Sequence, residues 1–280
     1  MAVDGVRVEA IDPTAPMAPG PLLTLADGAL SVDIAPQAGG RIAQIRVDGV
    51  EQLVGYGEHG STAAIAWGSY PMVPWCGRIR AGRFRFDGQD HAVPVNLGPH
   101  AIHGTGFLLQ WQVSAQAPQQ VDLELTLPRD RRWPFGGLAR QRISVDGRRL
   151  VMMLSLTATD SAMPATLGWH PWFRKPERLE FQPEAMYPRD ADGMTLLPAG
   201  PVGPQPWDDC FINRRPVVLH RQGQRVVLES GCSDWVVYDE PAFATCVEPQ
   251  TGPPDAFNLD PACRLEAGQT RSAVYTMTWD

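Results

Sequence analysis

RQRISVDGRRLVMMLSLTAT, residues 140–159, decides the fold class. Asp146-Gly147 stands between two strand-like runs, the second of them long, and Asp-Gly supplies the backbone conformations of a tight hairpin turn. The same device recurs outward from here. GRFRFDGQDHAV (82–93) turns at Asp87-Gly88, and GRIAQIRVDG (40–49) ends on Asp48-Gly49. RPVVLHRQGQRVVLES (215–230) is a hairpin with a glycine-containing loop. ALSVDIAP (29–36) alternates Leu30, Val32 and Ile34, and SDWVVYD (233–239) and TRSAVYTMTW (270–279) add further strand-like runs. Helical periodicity over ten or more residues is hard to find, and 27 glycines with 27 prolines punctuate almost every segment. The expected class is all-β, a large antiparallel β-sandwich.

The chain has 280 residues, a length that all-β folds reach as one unit. We expect one domain over 23–280, preceded by an N-terminal arm at 1–22 that is free to move. LPAGPVGPQPWDD (197–209) reads as surface loop. The net charge of −7 argues against a nucleic-acid or anionic-membrane partner, either of which calls for a basic face. Lys175 is the only lysine, which nearly excludes Schiff-base chemistry. The five cysteines, Cys76, Cys210, Cys232, Cys246 and Cys263, are odd in number and form no C-x-x-C pair, so free thiols in a reducing compartment are the simplest reading. The N-terminus lacks a basic region followed by an apolar run, and no stretch of 18 apolar residues occurs. A soluble, cytoplasmic protein is expected, either monomer or homodimer.

TLGWHPWF (166–173) carries the first candidate chemistry. His170 precedes Pro171, and a residue before proline is pushed into extended geometry, which fixes how the imidazole leaves the backbone. Glu248 in CVEPQTGPPDAFN (246–258) stands before Pro249 in the same way. Two titratable groups on stiffened backbone suit acid/base catalysis, although a histidine among tryptophans equally suits a satisfied core histidine. His103, followed by Gly104 in PHAIHGTGFLLQW (99–111), is either a site residue whose glycine admits a ligand or a turn histidine. In YPMVPWCGRIRAGRFRF (70–86), Arg83 and Arg85 read as a solvated strand face. Arg78 follows an apolar, proline-bound stretch and needs a carboxylate or polar ligand. PWDDCF (206–211) holds adjacent acids, of which alternation admits at most one to a given site. Metal-binding spacings, phosphate loops and the G-x-S-x-G elbow are missing, so neither metal nor cofactor is implied.

In order along the chain, GGRIAQIRVDGVEQL, PWCGRIRAGRF, AIHG, GWHPWF, WDDCF and VEPQTGPPDAFN resemble segments of the aldose 1-epimerase (galactose mutarotase) family. The resemblance runs from about residue 30 to the end. It implies a β-sandwich with a sugar cleft across a concave sheet and a monosaccharide substrate, hexose or pentose. It implies that Glu248 is the base at the anomeric hydroxyl, His170 the acid at the ring oxygen and His103 a second group there. Arg78 and Asp208 are implied as sugar-hydroxyl ligands. Gly77 departs from the family pattern, which has asparagine before the arginine, and this leaves galactose specificity open. Two other readings fit the residues. One is a hexose-6-phosphate 1-epimerase, which needs arginines such as Arg78, Arg80, Arg174 and Arg189 to converge. The other is a non-catalytic carbohydrate-binding sandwich, which has no need of the Glu248–His170 pair.

Overall fold

The computed structural model describes residues 12–280. The hairpin of the deciding stretch is present: Leu138–Asp146 pairs antiparallel with Arg149–Thr157, with Asp146 opposite Arg149. Gly147 takes the first turn position at φ 58°, the geometry of a II′ turn, which glycine enters without steric cost. At Asp48-Gly49 and Asp87-Gly88 both turn residues have positive φ, the I′ geometry that matches the twist of the flanking strands.

The strands form two large antiparallel sheets. The eight-stranded sheet runs Gln112–Ala117, Gln120–Thr126, Leu138–Asp146, Arg149–Thr157, Thr270–Trp279, Gln224–Ser230, Val217–Arg221, Arg178–Glu180. The ten-stranded sheet runs Leu23–Asp27, Leu30–Ala35, Arg41–Val47, Ser69–Met72, Gly168–Arg174, Ala244–Gln250, Asp234–Tyr238, Asp208–Ile212, Ala185–Met186, with Val50–Glu51 added beside Arg41–Val47. Their inner faces share one core, in which Ile45, Trp169, Trp235 and Val247 of one sheet meet Ile143, Leu154, Tyr275 and Met277 of the other. Two polar contacts inside the core bond the sheets to each other. Trp169 Nε1 donates to Gln141 Oε1 at 3.2 Å, and Tyr275 Oη donates to the Val247 carbonyl at 3.1 Å. Fully bonded polar groups of this kind fix one packing of the two layers.

The expected arm and loop have different bounds in the structure. Residues 1–11 lie outside the described residues. Residues 13–17 lie along 62–65, with Met17 N–H donating to the Thr62 carbonyl and Ala64 N–H to that of Ala15, each at 3.0 Å. The loop expected at 197–209 ends sooner, because Trp207 is buried against Phe181 and Phe211 and Asp208–Ile212 is a strand. Its acids are therefore placed by a sheet register. Among the described residues no helix is long and apolar enough to cross a membrane.

Candidate active site

The site lies on the outer face of the ten-stranded sheet, and alternation puts it there. Along Gly168–Arg174, Trp169 and Phe173 enter the core, so His170 and Trp172 project to the opposite face. Along Ala244–Gln250, Val247 enters the core, which turns Cys246, Glu248 and Gln250 outward. Gly168 is opposite Gln250 and Trp172 opposite Cys246, a register that sets His170 across from Glu248. Both residues before proline sit in extended strands, as the restriction on such residues requires.

His170, Trp172, Glu248 and Gln250 floor a cavity of about 300 Å³. That is the lower end of the range for small-molecule sites, about 300–1,000 Å³. His170 Nε2 stands 3.2 Å from Glu248 Oε1, and Gln250 Nε2 donates to Glu248 Oε2 at 3.3 Å. The His170 ring is held between Tyr70 and Trp172, with ring centres 4.8 and 5.5 Å away and near-parallel planes. Trp172 Nε1 is anchored on the Ile65 carbonyl at 2.8 Å. Behind Tyr70 lies Arg41, fully buried, its guanidinium donating to the carbonyls of Ala38, Ala64, Trp67 and Phe107. Its guanidinium carbon lies 4.2 Å from the Trp67 ring centre and 5.2 Å from that of Tyr70.

His103 enters from a loop, edge-on to His170 with ring centres 5.0 Å apart. Its backbone is left-handed at φ 59°, an uncommon state for a non-glycine residue, and its N–H donates to the Gly77 carbonyl at 2.9 Å. The reading of Gly104 as a gap for ligand is corrected. A Cβ there would lie 2.1 Å from the Val73 carbonyl oxygen, so the glycine admits protein backbone.

Arg78, from the short strand Arg78–Ile79, reaches Asp208 at 3.6 Å, and both line the cavity. The expectation that only one of the paired acids enters is also corrected. Asp208 and Asp209 both line the cavity because Arg189 gathers them, Nη1 to Asp208 Oδ2 at 3.1 Å and Nε to Asp209 Oδ1 at 2.8 Å. Sequence reasoning raised Arg189 only as a phosphate ligand. Its loop is tied at the root, where Asp190 accepts from the N–H groups of Asp192 and Met194 and from Arg80. Tyr187, Thr195 and Tyr238 line the wall as well and carried no sequence signal. All five residues singled out from the sequence, Glu248, His170, His103, Arg78 and Asp208, therefore line one cavity.

Burial dominates the electrostatics. It pushes the Glu248 carboxyl well above its ordinary range, and neighbouring Asp208 pushes it further. It lowers His170 to about 3, with Arg41 adding to the effect. His103 falls well below 6.5 for the same reason, with His170 and Arg78 contributing. Burial therefore favours neutral imidazoles and a protonated Glu248 carboxyl.

Gly77 is explained by its surroundings. Its φ is 62°, and a Cβ would sit 2.7 Å from the ring of Pro254. Asparagine does not fit this backbone without displacing the 253–255 turn.

The fold is a two-sheet antiparallel sandwich with a buried His170–Glu248 contact on the floor of a cleft. The aldose 1-epimerase family model matches residues 21–278, and the chain belongs to that family. The uncharacterized protein YphB of Escherichia coli K12 is 28% identical over 171 residues, 59% of this chain and 56% of YphB, so the match spans about half of that relative. Among solved structures, the GalM/aldose epimerase homologue of C. elegans superposes with a TM-score of 0.80 at 16% identity, covering 93% of this chain and 98% of that one. The galactose 1-epimerase of Lactobacillus acidophilus NCFM gives 0.77 at 16% identity, covering 92% and 94%. At these identities the structural likeness shows the fold.

Proposed function

We propose that the protein is a mutarotase, interconverting the α and β anomers of a free aldose. The observation that carries this reading is the facing of Glu248 and His170 at 3.2 Å on the cavity floor. The pair holds one labile proton. With that proton on His170, Glu248 takes the proton of the anomeric hydroxyl while His170 donates to the ring oxygen. The C1–O5 bond breaks, the aldehyde forms at C1, and rotation about C1–C2 presents its other face. Reclosure moves both protons back. Each positioned acid or base contributes typically ~10²–10⁴-fold. Burial favours the proton on Glu248, so the reactive form is reached by transfer across the 3.2 Å contact, helped by the hydroxyls of the entering sugar. Arg78 and Asp208 bind sugar hydroxyls, and Arg189 holds Asp208 in place.

A phosphorylated substrate is disfavoured by the arginines' partners. Arg78 and Arg189 face Asp208 and Asp209. Arg80 faces Asp190, Asp192 and Asp255, and Arg174 faces Glu51 and Glu58. A phosphate would have to displace a carboxylate from each.

Polarimetry tests the reading. Freshly dissolved α-D-glucose and α-D-galactose should lose optical rotation faster with wild type than with Glu248→Gln. Absence of acceleration on these sugars, on pentoses and on deoxy sugars would leave a carbohydrate-binding module instead.

A further inference from the structure

A third donor that mutarotation does not use lies buried beneath the cleft floor. Cys246 lies two residues before Glu248 on one strand, so both project from the same face of the sheet, Glu248 lining the cavity and Cys246 packed beneath it. Its cross-strand neighbours are Trp172 and Tyr238. His170, Cys246 and Glu248 each offer a ligand atom, and the three atoms lie within 4.8 Å of one another. All three side chains are buried, and no disulfide engages the thiol.

We propose that His170, Cys246 and Glu248 form a binding site for a thiophilic divalent cation of the zinc type, and that its occupation blocks the catalytic pair. One imidazole, one thiolate and one carboxylate are a donor set that zinc accepts, whereas magnesium and calcium demand oxygen. Metal–donor lengths of about 2.0–2.3 Å place tetrahedral donors about 3.3–3.8 Å apart. The imidazole and carboxylate, at 3.2 Å, already stand close to this spacing, and closing the thiol needs a shift of at most about an ångström. Three protein donors leave a fourth position on the cavity side for water or a sugar hydroxyl. Binding is balanced: Zn²⁺ replaces the thiol proton of Cys246 and the labile proton of the Glu248–His170 pair, and two protons leave to solvent. The resulting site is electrically neutral, so no unpaired charge is added to a buried place. Motif spacing could not reveal it, since His170 comes from a different strand 76 positions earlier.

The proposal uses the proposed catalytic residues but not their reaction, so binding is measured directly. Metal-stripped full-length protein is titrated calorimetrically with zinc chloride and, separately, spectroscopically with cobalt(II). Wild type should bind one equivalent of zinc and show a cobalt–thiolate charge-transfer band. Cys246→Ala should weaken zinc binding by more than about tenfold and lose the band. Cys210→Ala, which removes the thiol that lines the cavity, should keep both. Zinc should slow sugar mutarotation by wild type and leave the rate of Cys246→Ala, compared with and without zinc, unaffected. Absence of stoichiometric binding by wild type overturns the proposal, and so does equal binding by Cys246→Ala or binding lost in Cys210→Ala. Cys246→Ser repeats the comparison should the alanine variant fold poorly. Stoichiometric binding without any sugar turnover would support the metal site and sink the mutarotase reading instead.

Discussion

The two sheets bury their strands differently. In the eight-stranded sheet, Leu138–Asp146 and Arg149–Thr157 alternate between buried and exposed residues along their whole length. In the ten-stranded sheet, Ser69–Met72 and Ala244–Gln250 are buried at every position, and Gly168–Arg174 at every position but the last. One face of these central strands meets the core, and the other is roofed by the loops that carry His103 and Arg189 and by the short strand of Arg78. An open face needs nothing but solubility from its residues. A roofed polar face must bury titratable groups, and it holds them there only by pairing them or shifting their protonation. The cost of that second burial marks where chemistry is kept.

The comparison breaks most sharply at Glu248. Glu248→Gln should lower the mutarotation rate ~10²–10⁴-fold while the fold survives, since the amide removes a carboxyl that burial disfavours as an anion. Circular dichroism checks the fold and polarimetry the rate; a variant with full rate would move catalysis elsewhere. In the other sheet, Leu154→Ala should cost about 2–5 kcal/mol in urea denaturation, because its side chain is fully enclosed in the shared core. Asp208→Asn removes a charge from the cleft wall and should weaken sugar binding roughly ten- to hundred-fold, raising KM with a smaller fall in kcat.

The pH dependence sharpens the contrast. His170 folds with its pKa lowered from 6.5 to about 3. As pH falls below 6.5 the unfolded chain takes up this proton first, so stability is full above 6.5 and is lost down to about 3, at up to about 1.4 kcal/mol per pH unit. Glu248 acts in the opposite sense. Its raised pKa contributes stability that is full below 4.5 and lost as pH rises through the folded value. His170→Asn should therefore lose stability less steeply than wild type between pH 6.5 and 5, with Glu248 common to both. Parallel slopes would show that His170 is not held neutral by burial. The smallest effect belongs to the open face: Met153→Ala, next to Leu154 but exposed, should change stability by no more than about 0.5 kcal/mol.

The same contrast explains what could be read in advance. Alternation and Asp-Gly turns are local signals, so the open sheet's hairpin at Asp146-Gly147 and the separate two-stranded hairpin at Asp87-Gly88 stood out. His170-Pro171 and Glu248-Pro249 were legible because proline restricts its neighbour along the chain. Arg189 was not, because its role comes from a loop that folds over Asp208 and Asp209 from 19 and 20 positions away. Gly104 and Gly77 were misread or unexplained for the same reason. The atoms that crowd them, the Val73 carbonyl and the Pro254 ring, are distant in sequence.

By itself the sequence determined the all-β class, the hairpin turns and the residue types available for acid/base work, since these follow from φ preferences and from side chains alternating along one strand. Only the tertiary structure decided that His170 stands opposite Glu248, that both adjacent acids share one arginine, and that a buried thiol lies beside the pair. Those facts depend on the register between strands and on which loops cover a face, and long-range packing fixes both.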